Sequence, residues 1–410
     1  MSNDTSFRNC PVCNANQAHF VKKINFALFP KHPMAEGYNV VQCIVCGFVY
    51  ADTKVTQKDL DIYYTDISKY EDKKIGTGGG FTQYDKDRLI KTAKYFDEHI
   101  QDKSIKIADI GCANGGLLKE LKNLGFNNLV AIDPSLACIE ITKAEVGCEA
   151  YQYSIFDINS AVGKFDLIIL SHVLEHILDI ESTIEKLNTL LVDGGMVYVE
   201  CPDAQNYAKV IHAPYQEFNT EHINHFNETS FSNLFSIFNY AKIDTGTKTM
   251  KIASDDDYYA VYGLFKKSNK AGHGVVFDNA IINGISEYIQ KSDLIYNNVI
   301  NEIAKIDEGI TIALFGIGQF AFKLLADSVL KHRRNLLLFD NNVLNVGKSI
   351  NGFPIHHGKE ITSILTDKET VIVITSLIHE KDIKAGLLSA FEKENIFIPQ
   401  ILGFKHLLNN

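Results

Sequence analysis

Four groups of residues have the types and spacing that chemistry requires. The first is a pair of C-x-x-C motifs, Cys10/Cys13 and Cys43/Cys46. Each pair offers two thiolates, and four thiolates close a tetrahedral shell of the kind zinc prefers. A closed shell leaves no position for water, so a structural zinc that supplies folding energy is expected here. The second group is a turn of small residues, Asp109-Ile110-Gly111-Cys112-Ala113-Asn114-Gly115-Gly116, followed by Asp133 at the end of the next apolar run. Small residues let the backbone approach a ligand closely. The third is Phe218-Asn219-Thr220-Glu221-His222-Ile223-Asn224-His225-Phe226, two histidines three apart with a carboxylate beside the first. A neutral imidazole is a competent base near neutral pH. His222 is the expected base, Glu221 its orienting neighbour, and His225 a support or substrate contact. The fourth is Gly316-Ile317-Gly318-Gln319-Phe320-Ala321, a G-x-G-x-x-A turn with Asp340 ending the following strand.

Strands must deliver these turns. IKIADI (105–110), LVAID (129–133), DLIILS (166–171) and MVYVE (196–200) read as buried strands. Between them, Leu117, Leu118, Leu121 and Leu124 share one helical face, as do Ile184, Leu187, Leu190 and Leu191. Gly125 and the Asp193-Gly194-Gly195 turn close these helices. The rhythm predicts a parallel, doubly wound sheet. TIALF (311–315), LLLFD (336–340) and VIVIT (371–375) repeat it in a smaller α/β unit, with helices predicted over Gln319–Leu330 and Glu380–Phe391. The polar stretch Lys266–His273 is the expected linker.

The 410 residues suggest two or three domains, and a hydrophobic fraction of 46% supplies their cores. No apolar run approaches the roughly 20 residues of a membrane span. A net charge of −10 argues against a nucleic-acid groove as the main binding surface. Cys112, Cys138, Cys148 and Cys201 are scattered singly, unlike a disulfide framework. The opening MSNDTSFRNCPVC lacks the flank and apolar stretch of a signal peptide. A reducing cytoplasm is the expected compartment.

On pattern alone the Asp109–Gly116 turn serves NAD or S-adenosylmethionine. The leading acid Asp109, the D-x-G-x-A-x-G spacing, and Phe165-Asp166-Leu167-Ile168 running on to Ser171-His172-Val173-Leu174-Glu175-His176 favour S-adenosylmethionine. DIGCANGG (109–116), AIDPS (131–135), FDLIILSHVLEHILD (165–179) and LLVDGGMVYVECPD (190–203) resemble, in order, the motifs of class I S-adenosylmethionine-dependent methyltransferases. The resemblance implies that Asp109 and Gly111 flank the methionine part of the cofactor. It puts Asp133 on the ribose and Phe156-Asp157 near the adenine, with Ala113, Gly115 and Ser171 completing the set. Ala113 stands where that family usually has glycine.

The layout extends the likeness. A four-cysteine domain over 1–75, a methyltransferase domain over 76–268 and a Rossmann-like domain over 269–410 resemble the nucleotide-sugar C-methyltransferases of deoxysugar biosynthesis. That resemblance implies an enzyme whose substrate is a nucleotide-linked keto-sugar, bound between the second and third domains, with no nucleic-acid or membrane partner. It matches Glu221-His222 to the family's Glu-His pair and His176 to a histidine after the fourth-strand motif. It matches Tyr70, ahead of Gly76-Thr77-Gly78-Gly79-Gly80, to a further catalytic tyrosine. The family's tyrosine three residues before the catalytic histidine is Asn219 here, which leaves carbon and oxygen both open as the methylated atom. The Gly316–Ala321 turn alone would propose NAD, yet no hydride-transfer constellation accompanies it. Asp340-Asn341-Asn342, Gly347 and Asn351–Ile355 also resemble sugar-nucleotide domains, so Gly316, Gly318 and Asp340 are expected to meet the diphosphate. An O-methyltransferase and a non-catalytic nucleotide-sugar-binding protein are the alternatives.

Overall fold

The computed structural model describes residues 8–66, 79–251, 257–270, 272–365 and 369–409. The chain forms two compact units. One holds residues up to Val21, Val40–Tyr207 and Glu221–Gly284; the other holds Lys22–Asn39, Ala208–Thr220 and Ile285 onward. The cysteine segment does not stand apart as a block over 1–75. Cys10, Val12, Cys43, Cys46, Phe48 and Tyr50 belong to one buried cluster with Ile110, Ile168, Leu170, Val199 and Phe226.

In chain order the strands of the first part are β1 (Ala18–Asn25), β2 (Gly37–Cys43), β3 (Val49–Asp52), β4 (Ile107–Ile110), β5 (Leu129–Asp133), β6 (Glu149–Gln152), β7 (Phe165–Ser171), β8 (Leu191–Pro202), β9 (Asn224–His225), β10 (Tyr240–Lys251) and β11 (Asp257–Lys267). The helices are α1 (Gln57–Asp66), α2 (Gln83–His99), α3 (Gly116–Asn123), α4 (Leu136–Val146), α5 (Ile180–Leu190) and α6 (Glu228–Ile237). Strands β1-β2-β3-β9 form one sheet, and β10-β11-β8-β7-β4-β5-β6 form the main one. Every residue of β4 and β5 is buried, as apolar strands covered by helices on both faces must be. Leu117, Leu118 and Leu121 of α3 and Ile184, Leu187 and Leu190 of α5 supply that cover.

The sheet is mixed rather than all parallel, which corrects the expectation. β4 to β8 run parallel, whereas β11 is antiparallel to both β8 and β10. β10 reads YAKIDTGTKTMK, a largely polar strand suited to a solvated edge, and it gives no apolar run to notice in the sequence. From β4 the chain passes to β5 and β6 on one side, then returns to β7 on the other. The carboxyl ends of β4 and β7 therefore bound a topological switch point, where open α/β sheets form their ligand crevice.

The second part adds α7 (Asn279–Ala304), β12 (Thr311–Phe315), α8 (Gln319–Asp327), β13 (Leu336–Asp340), β14 (Ser349–Ile350), β15 (Phe353–His357), α9 (Ile361–Ile364), β16 (Thr370–Ile374), α10 (Glu380–Lys393) and β17 (Gln400–Leu402). Its sheet has the order β14-β15-β13-β12-β16-β17. The pairs from β15 to β17 are parallel, and the switch point lies between β12 and β16. α8 stops at Asp327, short of Leu330, because Ser328 turns extended and caps a separate short turn over Val329–His332. Lys266 and Lys267 lie inside β11, so the expected linker begins within a strand, and the division between units falls later, at Gly284/Ile285. Among the described residues no helix is long and apolar enough to cross a membrane.

Candidate active site

The first switch point is lined by a turn that only small residues tolerate. Gly111, Ala113 and Gly115 have φ of +78°, +47° and +73°, all left-handed. A Cβ on Gly111 would stand 2.6 Å from Val173 Cγ2, so the turn after β4 is packed directly on the turn after β7. The carboxylate of Asp133 accepts the Ala113 N–H at 2.9 Å and the Ser135 N–H at 2.9 Å, which ties the end of β5 to the turn.

Two further groups test whether a cationic, hydroxyl-bearing cofactor suits this crevice. Asp109 is 3% exposed, and burial, then the charge of Asp133, push its carboxyl up to about 7 against the pull of Arg88. An approaching cation would restore its charge. Asn114 is 4% exposed and neither end of its amide has a partner among the described residues. Buried amides are normally bonded. The donor set fits S-adenosylmethionine: a carboxylate for its cationic part, a second for its ribose, an open amide, and a turn with no side chain in the way. Ser171 ends β7 at the same crevice. Asp157 is exposed and accepts the Ser154 hydroxyl at 2.6 Å, beside a half-buried Phe156.

The turn after β7 carries a charged network. His172 has φ +57° and donates its backbone N–H to the Glu200 carbonyl at 2.7 Å. Its Nδ1 lies 3.2 Å from Glu175 Oε1 and its Nε2 3.5 Å from Glu200 Oε1. Burial alone would lower its pKa, but the two carboxylates raise it to about 9, so it is an imidazolium at neutral pH. Glu200 is fully buried, yet Lys248 Nζ at 2.8 Å and His172 hold it well below the usual carboxylate range. The Tyr198 hydroxyl donates to it as well, at 2.6 Å.

Glu175, His176 and His222 converge, with one ligand atom of each within 4.8 Å of the others. The rings of His176 and His222 are 5.0 Å apart, and Tyr64 packs edge-on against His176 at 5.6 Å. His176 Nδ1 donates to the Glu221 carbonyl at 3.1 Å, and burial lowers its pKa. The Glu221 carboxylate accepts the Tyr63 hydroxyl at 2.7 Å. His225 is fully enclosed on β9, with Nδ1 3.3 Å from the Tyr207 hydroxyl. Burial, then His222 and Arg8, lower it to about 3, so it stays neutral. Tyr70 and Gly76–Gly78 lie outside the described residues.

Residues 81–245 match the family model described as a methyltransferase domain. This region is a class I S-adenosylmethionine-dependent methyltransferase domain. The chain is similar to the ubiquinone biosynthesis O-methyltransferase of Azotobacter vinelandii, 33% identical over 110 residues that make up 25% of this chain and 47% of that protein. The counterpart from Pelagibacter ubique is 30% identical over 121 residues, 28% of this chain and 50% of its own. The chain thus spans about half the length of these curated relatives. Among solved structures, the plantazolicin methyltransferase BpumL, in complex with a pentazolic desmethylPZN analog and SAH, aligns over 51% of this chain and 98% of its own, with a TM-score of 0.39 and 14% identity.

Two further features concern the cysteines and the second glycine turn. In the unit that contains the methyltransferase domain, the sulfurs of Cys10, Cys13, Cys43 and Cys46 all lie within 4.8 Å of one another. Cys10–Cys46 and Cys13–Cys43 are each 3.5 Å apart, near the roughly 3.8 Å edge of a tetrahedron of sulfurs about 2.3 Å from a zinc. The Val45 N–H points to Cys43 Sγ at 3.4 Å, as a loop wrapped round a thiolate would. In the other unit, Gly316 has φ +98°, whereas Gly318 is extended and a Cβ on it would meet nothing within 4 Å. Asp340 accepts the N–H groups of Ile317 at 3.1 Å and Asn342 at 2.9 Å and the Asn345 amide at 2.9 Å. Asn219, in the same unit, donates its amide to the Gln216 carbonyl at 3.1 Å.

The motifs drew attention to His176 and His222 but passed over His172, Glu200, Lys248 and Asn114. Asn114, His172 and Glu200 do stand inside recognised motifs, and a polar residue amid small or apolar neighbours was the available signal. Lys248 had none, being 48 residues from its partner Glu200.

Proposed function

We propose that the protein moves the methyl group of S-adenosylmethionine onto a nucleotide-linked keto-sugar, at a carbon next to the ketone, with His222 as the base. The observation that carries this reading is the convergence of His222 and His176 on an ionised carboxylate within the domain that also bears the cofactor turn. S-adenosylmethionine supplies an electrophilic methyl on a sulfonium. Asp109, Gly111, Ala113, Gly115, Asp133, Asp157 and Ser171 would hold it. On the acceptor, the ketone acidifies the adjacent C–H, a neutral His222 takes that proton, and the carbon becomes the nucleophile. Holding base and acceptor in reach of each other would remove much of the entropic barrier. Glu221, His225, His176 and Tyr70 complete the catalytic set by resemblance. Asn219, Gly316, Gly318 and Asp340 would contact the nucleotide-sugar, the turn offering backbone N–H groups to a diphosphate. Cys10, Cys13, Cys43 and Cys46 would hold one structural zinc.

O-methylation is the second reading, favoured by the O-methyltransferase relatives. The same imidazole would then deprotonate a hydroxyl. A mass-spectrometric screen of keto and non-keto nucleotide-sugars for the gain of one methyl tests both. In heavy water a carbon acceptor exchanges its activated proton for deuterium when abstraction is reversible, and an oxygen acceptor shows no carbon exchange. No methylated product from any keto nucleotide-sugar, with methylation of phenolic hydroxyls instead, would overturn the first reading.

A further inference from the structure

Sequence proximity assigns Glu221 to orient His222, and one oxygen of the Glu221 carboxylate, Oε1, accepts the Tyr63 hydroxyl at 2.7 Å. Glu175 is differently placed. It is 1% exposed, in the short turn Leu174–His176 after β7. Its carbonyl accepts the Ile223 N–H at 2.8 Å, and the Asn224 amide donates to the carbonyls of Leu174 at 2.8 Å and Ile177 at 2.6 Å. The turn is thereby stitched to the segment that carries His222. The groups facing the Glu175 carboxylate come from every side: His172 from the β7 turn, Cys201 from β8 with its thiol donating at 3.2 Å, His176 from its own turn, and His222.

The protons on these rings follow from the partners. A carbonyl only accepts, so His176 Nδ1, bonded to the Glu221 carbonyl, carries the hydrogen. In neutral His176 the Nε2 lone pair then faces Glu175 Oε1 at 3.8 Å and supplies no proton to it. His222 is the remaining imidazole in reach of that carboxylate.

We infer that Glu175 is the positioning residue that orients His222, at the end of a buried chain running Lys248, Glu200, His172, Glu175. The inference rests on the reading of His222 as base. The charges along the chain alternate, so each buried ion has an opposite neighbour and the burial cost is offset. Burial would push the Glu175 carboxyl up, but the imidazoles around it, with His172 bonded to it as the imidazolium, outweigh burial and hold it down at about 2. An anion fixed beside His222 stabilises its imidazolium and makes it a stronger base.

Histidine-labelled protein, titrated by NMR, tests this without any acceptor. In Glu175→Gln the midpoint of His222 should fall by roughly one pH unit or more, while Glu221→Gln should leave it nearly unmoved. In turnover assays the acid limb of the Glu175→Gln pH profile should move to lower pH. Its kcat should fall roughly tenfold or more, with KM for S-adenosylmethionine little changed. Glu175→Asp, which keeps the charge, should restore part of the shift. A His222 midpoint that moves in Glu221→Gln and not in Glu175→Gln overturns the inference. If neither Glu175 variant folds, the Glu221→Gln titration alone decides, since a fall there assigns the role to Glu221. Near-normal turnover in His222→Asn would remove the base reading while leaving the coupling measured by NMR intact.

Discussion

The two glycine turns sit at equivalent places, after the first strand of each switch point, and differ in what surrounds them. In both, an aspartate ending the next strand accepts a turn N–H: Asp133 from Ala113 at 2.9 Å, Asp340 from Ile317 at 3.1 Å. The first turn has three left-handed residues, Gly111, Ala113 and Gly115, and it packs against a β7 turn carrying His172 and Glu175. The second has one left-handed residue, Gly316, and faces Thr375 and Ser376, whose hydroxyls cannot serve as bases near neutral pH. Equal topology thus supports a reaction centre in one unit and at most a binding turn in the other. The chemistry follows the side chains delivered to the crevice.

The largest expected effect separates the units by stability. If the four cysteines hold the proposed zinc, chelation or Cys43→Ser removes a folding contribution that in isolated zinc modules is about 10–16 kcal/mol. Because the cysteines share the core of the first unit, hydrogen-exchange mass spectrometry should show β4, β7 and β8 losing protection, while β12, β13 and β16 keep theirs. Equal loss in both, or none, would break the contrast. Next comes His222→Asn, which retains a polar side chain but no base near neutral pH. Turnover should fall about 10²–10⁴-fold, with S-adenosylmethionine affinity nearly unchanged.

The paired aspartates come third. Asp133→Ala should weaken S-adenosylmethionine binding about ten- to a hundredfold in calorimetry, through lost charge-assisted hydrogen bonds and a loosened turn. Asp340→Ala should leave that affinity alone and reduce only nucleotide-sugar affinity. The glycines give the smallest contrast. Gly111→Ala sets a side chain in a left-handed conformation, about 1–2 kcal/mol, and against Val173, so cofactor affinity should drop at least about tenfold. Gly318→Ala enters open space on extended backbone and should change neither melting temperature nor cofactor binding.

Much of this was legible beforehand, for physical reasons. Strands buried on both faces are continuous apolar runs, so LVAID and TIALF matched β5 and β12 residue for residue. Tight turns demand glycine, and the two C-x-x-C pairs supply the four sulfurs that the fold brings within 4.8 Å of one another. The rest depends on contacts without a local signature. The segments 22–39 and 208–220 join the far end of the chain in one unit, which no periodicity reports. Glu175 beside His176 carries no local sign of burial in the sequence; only the fold reveals that it is enclosed by Cys201, His172 and the His222 segment. The polar strand β10 was invisible because pairing with β11, not apolarity, makes it a strand.

The central claim is that the crevice between β4 and β7 is where S-adenosylmethionine binds. Isothermal titration of the purified chain with S-adenosylmethionine measures this directly, with the Gly111→Ala and Gly318→Ala variants as controls. The account predicts one site per chain, weakened by the first substitution and untouched by the second. No binding heat at millimolar S-adenosylmethionine, or binding lost through Gly318 rather than Gly111, would contradict it.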